Sequence, residues 1–322
     1  MTSFLAIEYY SPILVLLLGI TTFNGLLGLG LVLLRLFRLD IPSPWRQVVG
    51  VLLGIQVLSL AVQVVAVTNL ALPPVLIGLW LMLIAVGGLG SFHLSRPLRP
   101  IPSKTTQDGG ILPLVVGIVA LAVNLLVAIA PSTKIDELYY HMLLPSRIVV
   151  DGGLYFYRWP WEGAILPQMI FQISTAPLHA LGFPDAANVV SWALSLTLLW
   201  FGWYLIRERA QTKAWTYVWI ISIVIGIYPV VWHVTGGAHA MGDLATAASV
   251  VAFTIREDLL KKMGPITFGA ISSILVLSSV SSKVSLLPLG AALLFLMVFF
   301  CGEIRLTGVK VVGRFLPFPS PG

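Results

Sequence analysis

The chain of 322 residues is 58% hydrophobic and only 10% charged, with a mean hydropathy of +0.96. Soluble domains carry roughly 25% charged residues, so this chain could not cover a water-facing surface, and soluble and disordered classes are excluded. The net charge of +6 comes from short basic clusters between apolar runs, a pattern of membrane orientation rather than of nucleic-acid binding. The single cysteine, Cys301, lies inside an apolar run, which leaves no disulfide framework and no cysteine cluster for a metal.

A span needs about 20 mostly apolar residues. In chain order, spans are expected near 12–34, 48–68, 74–93, 111–131, 187–206, 214–232, 241–256, 264–282 and 285–301. The expected fold is therefore an all-α polytopic membrane protein of about nine transmembrane helices. No cationic segment precedes the first apolar run and no small-residue cleavage site follows it, so that run is read as a span and not a removable signal. Of the nineteen Lys and Arg residues, fifteen fall in the segments after spans one, three, five, seven and nine. The remaining four are Lys134, Arg147, Arg158 and Lys283. Because positive loops stay cytoplasmic, the N-terminus is expected outside and the C-terminus inside the cell membrane.

This layout gives three regions: four spans over 1–131, an extracytoplasmic loop over 132–186, and five spans with a short cytoplasmic tail over 187–322. The loop is 55 residues long and holds five of the thirteen acidic residues, Asp136, Glu137, Asp151, Glu162 and Asp185, together with His141 and His179. Long loops in otherwise economical folds are usually functional. Read as a helix, 132–141 sets Asp136, Tyr140 and Arg147 near one face and Glu137 one turn from His141, with Pro145 expected to end or kink it. An outward carboxylate there could take a proton from an acceptor hydroxyl. The spacing of Thr133 and Asp136 equally suits a helix cap. The apolar run 167–181 is too short to cross comfortably and is read as a juxtamembrane or half-inserted helix; the alternative, a tenth, tilted span, would put Arg207 through Lys213 outside, against the charge pattern.

Two further points carry polar chemistry. In His233-Val-Thr-Gly-Gly-Ala-His239-Ala-Met-Gly-Asp243, Asp243 is expected to open a helix. His239 and Asp243 stand one turn apart and could supply half of a divalent-metal site with Glu137 and His141, or Asp243 could simply cap the helix. Lys283, in Ser278-Ser-Val-Ser-Ser-Lys283, is either a snorkelling cation or a point charge for a phosphate oxygen at the outer interface.

Taken together, Asp136-Glu137-x-x-Tyr140 and the wider string through His141 and Pro145, a Gly-Gly pair, Leu166-Pro167-Gln168, Asp243 and the Gly269…Lys283 run resemble the GT-C membrane glycosyltransferases. That group includes protein O-mannosyltransferases and aminoarabinose transferases. The resemblance covers about residues 130–300. It implies inverting transfer of a sugar from a polyprenyl-phosphate donor to a glycan, lipid or protein acceptor at the extracytoplasmic face. Asp136 and Glu137 would then be catalytic, Asp243 a supporting acid, and Lys283 the donor-phosphate ligand, with Tyr140, His141, Arg147, Glu162 and His239 as further loop candidates. Group members usually continue beyond the point corresponding to Gly322, which implies a shortened relative. The readings from other classes are a transporter or flippase of lipid-linked sugars, and a non-catalytic scaffold subunit.

Overall fold

The structure is a computed structural model that describes residues 11–94, 111–132, 141–155, 170–209, 238–282, 288, 290–292 and 295. The described chain is helical throughout, with no strand among these residues. Its elements are α1 (Pro12–Leu36), α2 (Trp45–Val67), α3 (Pro73–Leu94), α4 (Ile111–Ile129), α5 (Leu143–Asp151), α6 (Ile170–Ser174), α7 (Ala176–Ala180), α8 (Ala186–Arg209), α9 (Ala238–Thr254) and α10 (Arg256–Ser282).

Four helices are long and apolar enough to cross a membrane: α1, α2, residues Pro73–Gly90 of α3, and α10. The chain is an integral membrane protein on this ground. Shorter apolar stretches occupy Ala186–Gly202 of α8 and Ala240–Thr254 of α9. The expected spans 214–232 and most of 285–301 lie outside the described residues, as does much of the 132–186 loop.

Local chemistry explains the helix starts. The Ser11 hydroxyl accepts from Leu14 N at 3.4 Å at the head of α1, and Pro12 fills the first helical position, where a missing N–H is harmless. Arg35 in the last turn favours the carbonyl end of the dipole, and left-handed Arg38 (φ 54) turns the chain away. α3 likewise opens on Pro73-Pro74. The expected loop after span seven proves helical instead. Arg256–Met263 forms the first part of α10, and the break comes at Gly264 (φ 76, ψ 166), followed by Pro265. Glycine tolerates that conformation, and proline cannot continue the preceding hydrogen-bond ladder.

α1 is the hub, packed on α2, α3 and α8. Its neighbours approach so closely that side chains are excluded. A Cβ on Gly30 would overlap the Gly50 carbonyl of α2, one on Gly54 the Leu26 carbonyl, and one on Gly87 of α3 the Gly25 carbonyl. Small residues at such crossings let backbones meet where lipid gives no hydrophobic drive for association. Polar bonds add to this. Trp80 Nε1 donates to Thr22 Oγ1 at 2.8 Å between α3 and α1, and the Gln56 amide of α2 donates to the Ile274 carbonyl of α10 at 3.2 Å and to Ser278 Oγ at 2.5 Å.

These pairings fix which ends lie together. Gly25 with Gly87 and Gly28 with Gly90 set α1 and α3 parallel, and Gly30 with Gly50 and Leu26 with Gly54 set α2 antiparallel to them. The edge-to-face pair Trp45–Phe201, at 4.9 Å, joins the start of α2 to the latter half of α8. One end of the bundle thus carries Arg35, Arg38 and Arg46, with Arg256, Lys261 and Lys262 at the α9–α10 junction. The other carries α5, α6 and α7.

Gly30→Ala is expected to push α1 off α2 and lower stability by about 1–3 kcal/mol. Gly78→Ala, where a Cβ meets nothing within 4 Å, serves as the comparison and is expected to be neutral or mildly stabilising. Thermal unfolding of the two purified variants in one detergent checks this, and equal midpoints would refute the close-approach account.

Candidate functional site

The end of the bundle opposite the basic clusters gathers polar side chains on short elements. Asp185 Oδ1 accepts from Ser132 N at 3.0 Å and Ser132 Oγ at 2.7 Å, and Asn188 Nδ2 donates to the same hydroxyl at 3.1 Å. This knot ties the end of α4 to the start of α8.

α6 and α7 form the floor of this end. The run from Phe171 to Leu178 is buried without a break, and α6 packs among α2, α9 and α10. From Ile170 to Ala180 the pair would reach only about 16 Å at 1.5 Å per residue, half the thickness of a hydrocarbon core. Polar side chains here bond to the protein itself: Ser174 Oγ donates to the Phe171 carbonyl at 2.5 Å and Thr175 Oγ1 to the Gln172 carbonyl at 2.7 Å. The Gln172 side chain, 3% exposed, has its amide nitrogen 2.8 Å from His141 Nδ1. Its Oε1 is buried and has no hydrogen-bond partner among the described residues.

α5 stands over this floor. Its Ser146 hydroxyl lies 2.8 Å from His179 Nδ1 of α7. His179 is partly buried, and the protein packed around the ring lowers its pKa from 6.5 to about 3. Pro145 lies in the first turn of α5, where its missing N–H is harmless, and most of the segment it is expected to end or kink, 133–140, lies outside the described residues. Arg147 is exposed on α5.

α9 brings the third candidate. Asp243 does not open this helix: α9 begins at Ala238, so Asp243 is in its second turn, partly buried, and is no N-cap. Helix geometry does keep His239 and Asp243 on one face, four residues apart. Thr246 Oγ1 of α9 meets Ser279 Oγ of α10 at 2.6 Å. Because α10 reverses at Gly264 and runs back along α9 beyond it, one turn further toward the same end brings Asp243 level with Ser282, and Lys283 is the next residue in the chain.

The structure therefore brings His141, Arg147 and Asp243, with the backbone of His239, to one end of the bundle. Asp136, Glu137, Tyr140, Glu162 and Lys283 lie outside the described residues. Among the described residues no group of three or more His, Cys, Asp or Glu side chains is placed to hold a metal ion. Sequence reasoning missed Gln172 and the Ser146–His179 pair; a glutamine and a histidine inside an apolar run too short to span were the available signals. No protein-family model, curated protein or solved structure matches the chain.

The depressed pKa of His179 has a thermodynamic consequence. The unfolded chain takes up a proton near pH 6.5 while the folded one resists until about 3, so stability is complete above pH 6.5 and falls as pH drops toward 3. Thermal unfolding is expected at a lower temperature at pH 5 than at pH 7.5, and His179→Gln should flatten that difference. An unchanged pH profile in the variant would assign the effect to another group.

Proposed function

We propose that the chain is a GT-C-type glycosyltransferase, moving a sugar from a polyprenyl-phosphate donor to an acceptor hydroxyl at the extracytoplasmic membrane face. The observation that carries this reading is that His141, just before α5, and Asp243 on α9, about a hundred residues apart in the chain, both lie at the bundle end opposite the basic clusters. Positive loops are retained in the cytoplasm. The candidate residues would then face outward, the side on which the resembled enzymes use lipid-linked sugars. In this reading nine spans cross the membrane, with the N-terminus outside and the C-terminus cytoplasmic.

The chemistry follows from the residue types. The acceptor oxygen attacks the anomeric carbon while the bond from that carbon to the phosphate oxygen breaks, and the electron pair leaves with the lipid phosphate. Asp136, with Glu137 beside it, takes the hydroxyl proton. Lys283 pairs with the departing phosphate, and Asp243 balances that cation from the adjoining helix. Holding both reactants at one bundle end supplies the proximity contribution. His239 and Asp243 share a helix face suited to half of a divalent-metal site, and no step above passes through a metal. Asn24, Gln56 and Gln63 are the polar residues that a transport path would use; Asn24 is engaged in an interaction, Gln56 bonds to α10, and Gln63 bonds to Ser59 of its own helix at 3.2 Å.

Asp136→Asn is expected to lower transfer by about a hundredfold or more while the protein still folds and inserts; full activity in that variant removes Asp136 as the base. Mass spectrometry of co-purifying lipids should find a polyprenyl phosphate, lost in Lys283→Ala. Its absence from both samples would overturn the donor assignment.

Orientation is checked separately. With Cys301 replaced by serine, a cysteine at Asn69 should react with an impermeant reagent in whole cells and one at Asp40 should not. The reverse pattern would invert the topology.

A further inference from the structure

Residues 68–72 join α2 to α3, two helices long enough to cross a membrane, so this turn lies at a membrane boundary. The end of α5 is fastened to it. Ala71 N donates to the Gly152 carbonyl and Leu154 N to the Ala66 carbonyl, both at 3.0 Å. Gly152 is left-handed (φ 66), and a Cβ on Gly153 would crowd Asn69 Oδ1, so the two glycines allow this contact. α5 therefore ends at the level where lipid head groups begin.

The surface at this level is poorly suited to water. Leu60, Val64 and Val67, at helical spacing on α2, form an exposed stripe that Leu70 continues into the turn. Val67 is 66% exposed, and Val150 on α5 is 70% exposed. Beside Val150, one turn earlier on the same helix face, stands exposed Arg147, which has no ion-pair partner among the described residues. Asp151, also on this face, is engaged in an interaction of its own. An apolar stripe running to a membrane boundary, with an exposed guanidinium on the helix whose end is fastened to that boundary, complements one kind of molecule, an amphiphile with an anionic head.

We infer that Arg147, Val150 and the Leu60–Val64–Val67–Leu70 stripe form a binding site for an anionic phospholipid. The guanidinium fork holds the phosphate with two parallel N–H donors, and the acyl chains lie along α2. An arginine suits this better than a lysine because its planar donors match two phosphate oxygens at once. A net-negative head is favoured over a zwitterionic one, whose own cation competes for the phosphate. Arg147 is also a loop candidate of the transferase reading, but this site rests on its exposure beside Val150 and does not depend on that reading.

Native mass spectrometry of the full chain with equimolar phosphatidylglycerol and phosphatidylcholine tests the inference. The wild type is expected to retain phosphatidylglycerol about fivefold more, the ratio that one cation near a membrane surface provides. Arg147→Gln should bring the ratio to about one and Arg147→Lys should keep part of it. Raising the salt concentration should erode the wild-type preference, a readout that needs no variant to fold. No preference in the wild type, or an undiminished one in Arg147→Gln, overturns the site.

Discussion

The bundle rests on how closely the backbone of α1 can be approached. In water, apolar faces meet because water drives them together, but helices in a membrane leave lipid that is as apolar as themselves. Contact must come from shape, and α1 provides it with glycines on three sides. Gly30 and Leu26 receive α2, Gly25 and Gly28 receive α3, and Gly19 receives α8 at Val189. A β-carbon on Gly19 or Gly30, or on the facing Gly54, Gly87 or Gly90, would meet a backbone carbonyl or a branched side chain and force the axes apart. Because α2 also carries Gln56 to α10, and α8 carries Phe201 back to Trp45, the register set at α1 spreads to both ends of the molecule.

The two ends are then chemically different for separate reasons. At one, Arg35 and Arg38 are exposed beside the α1–α2 connection, Lys261 and Lys262 are exposed on α10, and Arg256 lies over the Phe253 ring at 5.2 Å where α9 meets α10. At the other, polar groups turn inward, bonding across short helices instead of to solvent: Ser146 with His179, His141 with Gln172, Ser132 with Asp185. Polar groups placed this way hold one arrangement of α5, α6 and α7, since each lost bond would leave a polar atom in an apolar surround.

Much of the helical layout could be read in the sequence because long apolar runs and prolines are local signals. Pro12, Pro73 and Gly264-Pro265 mark boundaries by backbone chemistry alone, and the Gly25, Gly28 and Gly30 stripe announces close packing. The site was less legible. Asp243 looked like a helix cap because Gly236-Gly237 reads as a turn, yet an apolar residue, Ala238, begins α9 and the acid falls a turn later. Pro145 marks the start of α5, since its ring fits a first turn as well as it breaks an interior. Gln172 and His179 carry no periodic signature, since each meets a partner some thirty residues away that no local rule connects to it.

Gln172 shows what such long-range pairing demands. Non-spanning backbone at membrane depth survives only where protein covers it, and α6 meets that condition by packing among α2, α9 and α10. A buried amide has two ends, and His141 engages one. The oxygen, without a partner among the described residues, costs about 1–3 kcal/mol where it stays unmet. An aliphatic side chain of similar size would avoid that cost and fill the same space. The amide's contribution therefore lies in holding His141, and through it the chain direction just before α5, rather than in the packing of α6.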